Sequence, residues 1–600
     1  MITKSPIITQ SPVLTKPERG SVIVEVDHYK YSNAVADTLK GLNFSISKGE
    51  FIGLMGRTGA GKTTSLMLLN GLIPHFFEGD FKGKVLANTM NTQRYRIQTL
   101  ARFIGLVMQD TETQIFGITV EKDVAFGPSN LRYGKEKIHE LVGKSLKAVG
   151  LSGYEKRITT ELSGGEKQRL TIAGVLAMEP EILVLDEPTS ELDPEGRLEI
   201  YKLLSSLRKE NEVTIIISGH DSEEMLQFTD KILVLEHGSI CWQGKPGELF
   251  SDVKLTESFG IRPTEVSEIR DHLSSNGQKE NLPVCNSIDQ LVEYISQSYC
   301  FKPSSNLALN STAIKNSSQS DRPVVIKAVD LNFLYTSSKS ALRNINLEIH
   351  KGEFVALIGK NGAGKTTFSK HLNGLLRPSF GDVFINGRNI KTVSTSELSK
   401  EVGYVFQNPD HQIFSSTLWD EVEYGLKNLG ISENDRKTRV MEALKFVGLE
   451  ELKERHPFTL GKGERQKLAV ATILAMETEI LVIDEPTTGQ DWEGTKRMMT
   501  MMEKLHKRGH TILAITHNMR LAAEYANRVI VFANGQIVLD GPPEEVFYEQ
   551  EKLQKASVTP PESAIIGNRL RSYGLEDFPV TISALVDQLC QKSHGEINVN

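Results

Sequence analysis

Gly56-Arg57-Thr58-Gly59-Ala60-Gly61-Lys62-Thr63-Thr64, written GRTGAGKTT, returns later in the chain as Gly359-Lys360-Asn361-Gly362-Ala363-Gly364-Lys365-Thr366-Thr367, GKNGAGKTT. The first copy follows the apolar run FIGLM at 51–55 and opens the apolar stretch Ser65-Leu66-Met67-Leu68-Leu69. Strand, glycine-rich turn and helix start, in that order, are the context a phosphate-binding loop requires. The glycines let backbone N–H groups approach phosphate oxygens, and the helix N-terminus adds a favourable dipole. Lys62 supplies a point charge and Thr63 a hydroxyl for a divalent cation, as Lys365 and Thr366 do in the second copy. One such loop can be a chance glycine-rich turn; two in register cannot.

The repetition runs on. Lys62 and Lys365 lie 303 positions apart, Glu187 and Glu485 298, and His220 and His517 297, so only small loop differences separate the halves. GKPGELF at 244–250 answers GPPEEVF at 541–547, and LPV at 282–284 answers FPV at 578–580, which gives each half a small C-terminal appendage. The expected organisation is a polar N-terminal tail at 1–20, a first domain at 21–250, its appendage at 251–302, a Ser/Asn-rich linker at 303–323, a second domain at 324–547 and its appendage at 548–600. A chain of 600 residues is long enough for several such units.

Composition excludes other classes. Hydrophobic residues at 39% and charged residues at 24% are those of an ordinary globular protein. The longest apolar runs span a few residues, whereas a membrane helix needs about 20. The first 20 residues carry Pro6, Pro12 and Pro17 and no continuous apolar segment, so a cytoplasmic chain is expected. Cys241, Cys285, Cys300 and Cys590 are scattered without a CxxC pair, which argues against zinc or a disulfide framework. A net charge of −7 argues against nucleic acid as a partner.

ILVLDE at 182–187 and ILVIDE at 480–485 end apolar runs on paired carboxylates. Runs of this kind suit strands buried on both faces of a parallel sheet, whose C-terminal edge is where ligands bind. An isolated Asp-Glu pair there is usually a strand cap. Downstream of a phosphate loop, the first acid (Asp186, Asp484) is placed to hold a cation and the second (Glu187, Glu485) to orient or deprotonate water.

These residues carry a resemblance: both halves look like nucleotide-binding domains of ATP-binding cassette proteins. It implies an α/β fold of two P-loop NTPase domains, each with a helical subdomain and a small C-terminal appendage, acting as an ATPase with ATP and Mg²⁺ as cofactors. Leu162-Ser163-Gly164-Gly165-Glu166 resembles the family signature, which in such proteins closes on nucleotide held by the opposite domain; here that implies an intramolecular cassette pair. His220 and His517 resemble the switch histidine at the γ-phosphate. Gln109 and Gln407 resemble the Q-loop residue that joins Thr63, Thr366, Asp186 and Asp484 around Mg²⁺. Tyr31 and Tyr335 match the aromatic that stacks on adenine, with a strand-packing tyrosine as the alternative.

The second signature, Leu460-Gly461-Lys462-Gly463-Glu464, lacks the serine hydroxyl and places a lysine where the first has Gly164. Nucleotide on Lys62 is therefore expected to meet the altered motif, and nucleotide on Lys365 the intact one, giving two hydrolytic sites of unequal rate. Lys462 either offsets the lost hydroxyl with its charge or obstructs a close approach to phosphate. The D-loops also differ, Ser190-Glu191-Leu192-Asp193 against Thr488-Gly489-Gln490-Asp491.

QDTETQIFGITVEKDVAFG at 109–127 and QNPDHQIFSSTLWDEVEYG at 407–425 resemble the segment after the Q-loop in energy-coupling-factor importer ATPases, including the second glutamine, Gln114 and Gln412. That resemblance implies a peripheral protein on the cytoplasmic face of the cell membrane, working with a transmembrane coupling protein and a substrate-capturing membrane protein. Its cargo would be a vitamin, a vitamin precursor or a metal ion. Two alternatives are a tandem sugar-type importer ATPase and a soluble translation factor on ribosomes. The second expects a basic inter-domain arm, yet 245–322 holds eight Lys/Arg against ten Asp/Glu.

Overall fold

The computed structural model describes residues 17–275, 283–298, 322–336, 339–575 and 577–593; most of the expected N-terminal tail and linker, with Leu282 and Cys300, lies outside them. The chain divides into two units, residues 1–267 and 268–600.

Each unit holds a six-stranded sheet. In the first unit its order is Ser239–Gly244, Lys231–Glu236, Phe51–Met55, Thr214–Ser218, Ile182–Leu185 and Ile104–Val107, all parallel except the edge strand Ser239–Gly244. In the second it is Gln536–Gly541, Arg528–Ala533, Phe354–Ile358, Thr511–Ile515, Ile480–Asp484 and Val402–Val405, with the antiparallel strand again at the edge.

The central strands are buried along their whole length because successive side chains feed two different cores. Phe51, Met55, Leu183, Leu185, Ile215 and Ile217 point to one face, where they join the helical residues Val120, Val124, Leu146 and Leu170. Ile52, Leu54, Ile182, Val184 and Ile216 point to the other and pack under a second, antiparallel sheet through Val22, Val24, Leu42 and Val85. The second unit divides its strand residues in the same way, Phe354, Leu481 and Ile483 on one face and Val355, Val482 and Leu513 on the other. The antiparallel sheets run Leu39–Ile46, Val22–Tyr31, Gly79–Ala87, Met90–Asn91 and Lys339–His350, Val324–Thr336, Phe380–Ile385, Arg388–Asn389. The helices Val120–Asn130, Lys135–Ala148 and Gly164–Leu176 pack together as the helical part of the first unit. Leu418–Asn428, Glu433–Val447 and Lys462–Ala475 do so in the second.

Strand order explains what gathers at the C-terminal edge. Phe51–Met55, which leads into the phosphate loop, is paired with Thr214–Ser218, which leads to His220; the next strand over, Ile182–Leu185, delivers Asp186 and Glu187. Residues far apart in sequence therefore meet at one edge.

The stretch expected as the first appendage, 251–302, is shared between the units, with the dividing line at Ser267. Beyond that line, Ile288–Ser298 packs against Glu562–Leu570, and Asp289 pairs with Arg569. Among the described residues no helix is long and apolar enough to cross a membrane.

Candidate functional site

In the first unit the loop turns at Gly56, whose φ is 140°; a β-carbon there would lie 2.1 Å from the carbonyl oxygen of Leu235. Only glycine fits so close an approach. Gly59, Ala60 and Gly61 carry the chain into the helix Lys62–Leu69, whose first N–H groups have no side-chain cap, while Arg57 donates to the carbonyl of Ser258 and Thr58 is exposed. Lys62 is buried, and its Nζ donates to the carbonyls of Gly56 (2.9 Å) and Arg57 (3.3 Å), which fixes the charge over the loop. Tyr31 reaches this loop through its hydroxyl, 3.1 Å from Thr64 Oγ1.

Glu187 stands 3.7 Å from Lys62 Nζ and 3.4 Å from His220 Nε2, and its Oε2 accepts from Gln109 Nε2 at 3.0 Å. Its backbone is left-handed, φ 44°, as is that of Glu485, φ 51°. Non-glycine residues held there are strained, and such strain gathers at functional sites. The residue that fixes Glu187 was not singled out in the sequence: Ser218 Oγ accepts from Glu187 N (2.9 Å) and donates to Asp186 Oδ1 (2.6 Å). Its one signal is a hydroxyl directly after the apolar run Ile215-Ile216-Ile217.

The second unit repeats this plan with different fastenings. Gly359 has a φ of 142°, 2.2 Å from the Phe532 carbonyl oxygen by the same measure, and Lys365 Nζ donates to the carbonyls of Gly359 (2.5 Å) and Lys360 (3.0 Å). Asn361 and Gly362 are exposed, and Ala363, Gly364 and Thr367 are buried. Asp484 is bound by Thr366 Oγ1 (3.0 Å), as Asp186 is by Thr63, but where the first unit has Ser218 the second has Ile515, and Tyr404 supplies the other hydroxyl (3.3 Å). Glu485 is buried, 3.1 Å from His517 Nε2, and burial pushes its carboxyl up to about 8. Tyr335 OH lies 3.2 Å from Thr367 Oγ1. Gln407, unlike Gln109, is exposed.

Burial raises both Asp186 and Asp484 above the ordinary carboxylate range. Asp484 Oδ1 is buried and has no hydrogen-bond partner among the described residues. An orphaned carboxylate oxygen beside a threonine hydroxyl is a donor set that fits Mg²⁺, which takes one or two protein oxygens and completes its shell with water and phosphate.

Ser163 caps the helix Gly164–Leu176 in a capping box, accepting from Glu166 N (3.3 Å) while its own N–H donates to Glu166 Oε2 (2.7 Å). Gly461 keeps only the backbone half, donating to Glu464 Oε2 at 3.1 Å. Gly165 and Gly463 follow on these helices. Lys462 turns back over its own D-loop: its Nζ is 3.2 Å from where a β-carbon on Gly489 would stand. The halves are reciprocal here, Gly164 with Glu191 in one and Lys462 with Gly489 in the other.

The switch regions differ as well. Asp221, next to His220, accepts from Thr189 and from Arg197 Nη1 (2.9 Å), and so ties the switch to the helix Pro194–Asn211 that follows the D-loop. Half-buried Glu224 beside them is pushed up to about 7 by burial, against the pull of Arg197. A carboxyl whose pKa rises on folding, here from an ordinary 4.5, contributes stability below 4.5 that is lost as the pH climbs through about 7. The melting temperature should fall between pH 5 and pH 8, and Glu224→Gln should shrink that fall; an unchanged slope by calorimetry would show that Glu224 does not titrate there.

A family model described as ABC transporter matches residues 39–190 and 342–488, the segments that carry both phosphate loops, both signatures and both Asp-Glu pairs. An ABC transporter ATP-binding protein by name, from Caldanaerobacter subterraneus subsp. tengcongensis, is 42% identical over 89% of this chain and 93% of its own length. The chain belongs to the ABC transporter ATP-binding family. A relative of the same description from Methanosarcina acetivorans is 41% identical over 93% of this chain and 91% of that protein. A solved structure, cbiO1 from Clostridium perfringens, described as part of the ABC transporter complex cbiONQ, is 35% identical and covers 39% of this chain and 94% of its own, with a TM-score of 0.36. The tandem ABC ATPase thus carries two P-loop NTPase domains and is an ATP-hydrolysing enzyme.

Proposed function

We propose that this ATPase is the energy-supplying subunit of an energy-coupling-factor importer, acting at the cytoplasmic face of the membrane on behalf of a transmembrane coupling protein and a substrate-capturing membrane protein. Its cargo class is a vitamin, a vitamin precursor or a metal ion. In this reading the loops 56–64 and 359–367 hold ATP phosphates, with Tyr31 and Tyr335 at the base. Thr63, Asp186 and Gln109, and Thr366, Asp484 and Gln407, hold Mg²⁺, which supplies charge neutralisation on the phosphates. Glu187 and Glu485 orient and deprotonate water, and His220 and His517 hold the γ-phosphate end.

The observation that carries the importer reading is the presentation of the QIF segments. Gln114 is an internal strut: its Oε1 accepts from Met108 N (2.7 Å) and its Nε2 donates to the Leu106 carbonyl (3.1 Å). Asp123 Oδ1 then accepts from the N–H groups of Phe116 and Gly117, both at 2.8 Å. The result is a Phe116 ring 68% exposed and stacked on exposed Phe126 at 5.4 Å, with Ile118 exposed nearby. In the second unit Glu421 holds Phe414 N and Ser415 N, and Phe414 meets Tyr424 edge-on at 4.7 Å, both exposed. A rigidly held apolar patch on an otherwise polar surface fits a protein partner, and aromatic anchors are what such an interface uses.

The test is co-purification from native membranes. The unmodified chain should bring down small membrane proteins, and a Phe116→Asp, Phe414→Asp variant should lose them while its ATP binding persists. Recovery with ribosomes in place of membrane proteins would overturn the reading.

A further inference from the structure

The second unit lacks the device that ties the first unit's switch to its D-loop helix. Asp221 and Arg197 are replaced together, by Asn518 and Thr495. Asn518 Oδ1 instead caps its own helix, accepting from Leu521 N at 3.2 Å. Two other substitutions fall beside them: Pro194 becomes Trp492, the first residue of the helix Trp492–Lys507, and Glu223 becomes Arg520, three residues after His517. Arg520 lies over the Trp492 ring at 5.1 Å, so the switch helix is again joined to the helix after the D-loop, now by a cation on an aromatic face.

A guanidinium in that position needs a carboxylate, and Glu268 supplies it. Arg520 Nη1 donates to Glu268 Oε1 at 3.0 Å and Nη2 to Oε2 at 2.7 Å, with both side chains about 90% shielded from solvent. This parallel two-bond geometry fixes the plane of the guanidinium as a single contact does not. Glu524, one turn on, holds Nε at 2.9 Å. In the first unit the residue three after the switch is Glu223, paired with Arg262. The second half has Thr559 where the first has Arg262, since Ile261-Arg262-Pro263 answers Val558-Thr559-Pro560, so the first unit's Arg262 pairing has no counterpart at that position.

We propose that Glu268 is a positioning residue for hydrolysis at the second nucleotide site, fixing Arg520 against Trp492 and thereby setting His517 and the D-loop end Asp491 relative to each other. This rests on Glu485 and His517 acting as described under the proposed function. A displacement of the order of 1 Å in a catalytic constellation can cost up to about a hundredfold in rate, so loss of this fastening is expected to lower kcat roughly tenfold with little change in KM.

The experiment uses the full chain in two backgrounds, Glu187→Gln to isolate the second site and Glu485→Gln to isolate the first. Glu268→Gln should lower kcat roughly tenfold in the first background and leave it within about twofold in the second. Glu268→Asp, which keeps a carboxylate for Arg520 and leaves the cation over Trp492, should lose much less kcat than Glu268→Gln. Equal losses in both backgrounds with a lowered Tm, or no loss in either, would overturn the proposal. Should neither background turn over ATP, the proposed assignment of the glutamates fails and the fastening is read separately. With Trp242 and Trp419 changed to Phe, MgATP should shift Trp492 emission, and Glu268→Gln should abolish the shift; a shift that survives the substitution would sink the idea.

Discussion

Glu485→Gln is expected to cut the chain's ATP turnover at least tenfold and to cut it more deeply than Glu187→Gln. General-base groups contribute on the order of 10²–10⁴ in rate, and Gln keeps the shape of Glu while removing its basicity. Glu485 is held from three sides: its N–H donates to the Ile515 carbonyl (3.0 Å), Thr488 donates to its Oε2 (3.2 Å) and His517 stands against its Oε1 (3.1 Å). The inequality follows from the signatures. The family resemblance implies that nucleotide on Lys365 meets Ser163-Gly164-Gly165 and nucleotide on Lys62 meets Gly461-Lys462-Gly463, a motif that has no hydroxyl and whose lysine is turned towards Gly489. A hydrogen bond to a charged group contributes about 1.5–3 kcal/mol, enough for a tenfold difference between sites. Steady-state ATPase assays of the two single variants check this, and equal losses would remove the asymmetry.

Gly359→Ala is expected to damage the second unit far more than Gly362→Ala, three residues along the same loop. Both have positive φ, 142° and 79°. A β-carbon at Gly362 meets nothing within 4 Å, so its cost is the left-handed backbone alone, about 1 kcal/mol. At Gly359 the same methyl group would sit 2.2 Å from the Phe532 carbonyl oxygen, in backbone that cannot easily yield, and about 3 kcal/mol or more should be lost along with ATP binding. Denaturant unfolding of the two variants separates the effects; equal midpoints would mean that the loop relaxes away from Phe532.

The loops, the Asp-Glu pairs and the buried strands were legible because each is local: a glycine spacing, a strand end, an apolar run. The ordered repeat then made His220 and His517 interpretable, since a single histidine after a strand carries no such meaning. Ser218 and Tyr404 were not legible, because their role depends on which strand lies beside Ile182–Leu185 or Ile480–Asp484, and pairing is not written in either strand. Glu268 and Arg520 are 252 positions apart and belong to no motif. The sequence posed the question of Lys462, as helper or obstruction; its place over Gly489 comes from a contact between two loops that only the fold brings together.

The reciprocal substitutions bear on how these halves can be exchanged. Gly164 goes with Glu191 and Lys462 with Gly489; Asp221 goes with Arg197 and Asn518 with Thr495; Ser218 goes with Asp186 and Tyr404 with Asp484. Lys462, Asp221, Ser218 and Tyr404 each touch a partner on another loop, helix or strand, so a graft of one signature or one switch into the other half would leave a charge or a gap behind. The smallest transplantable piece is a coupled set of loops, and a duplicated gene that drifts in this manner loses the option of repairing one half by copying from the other.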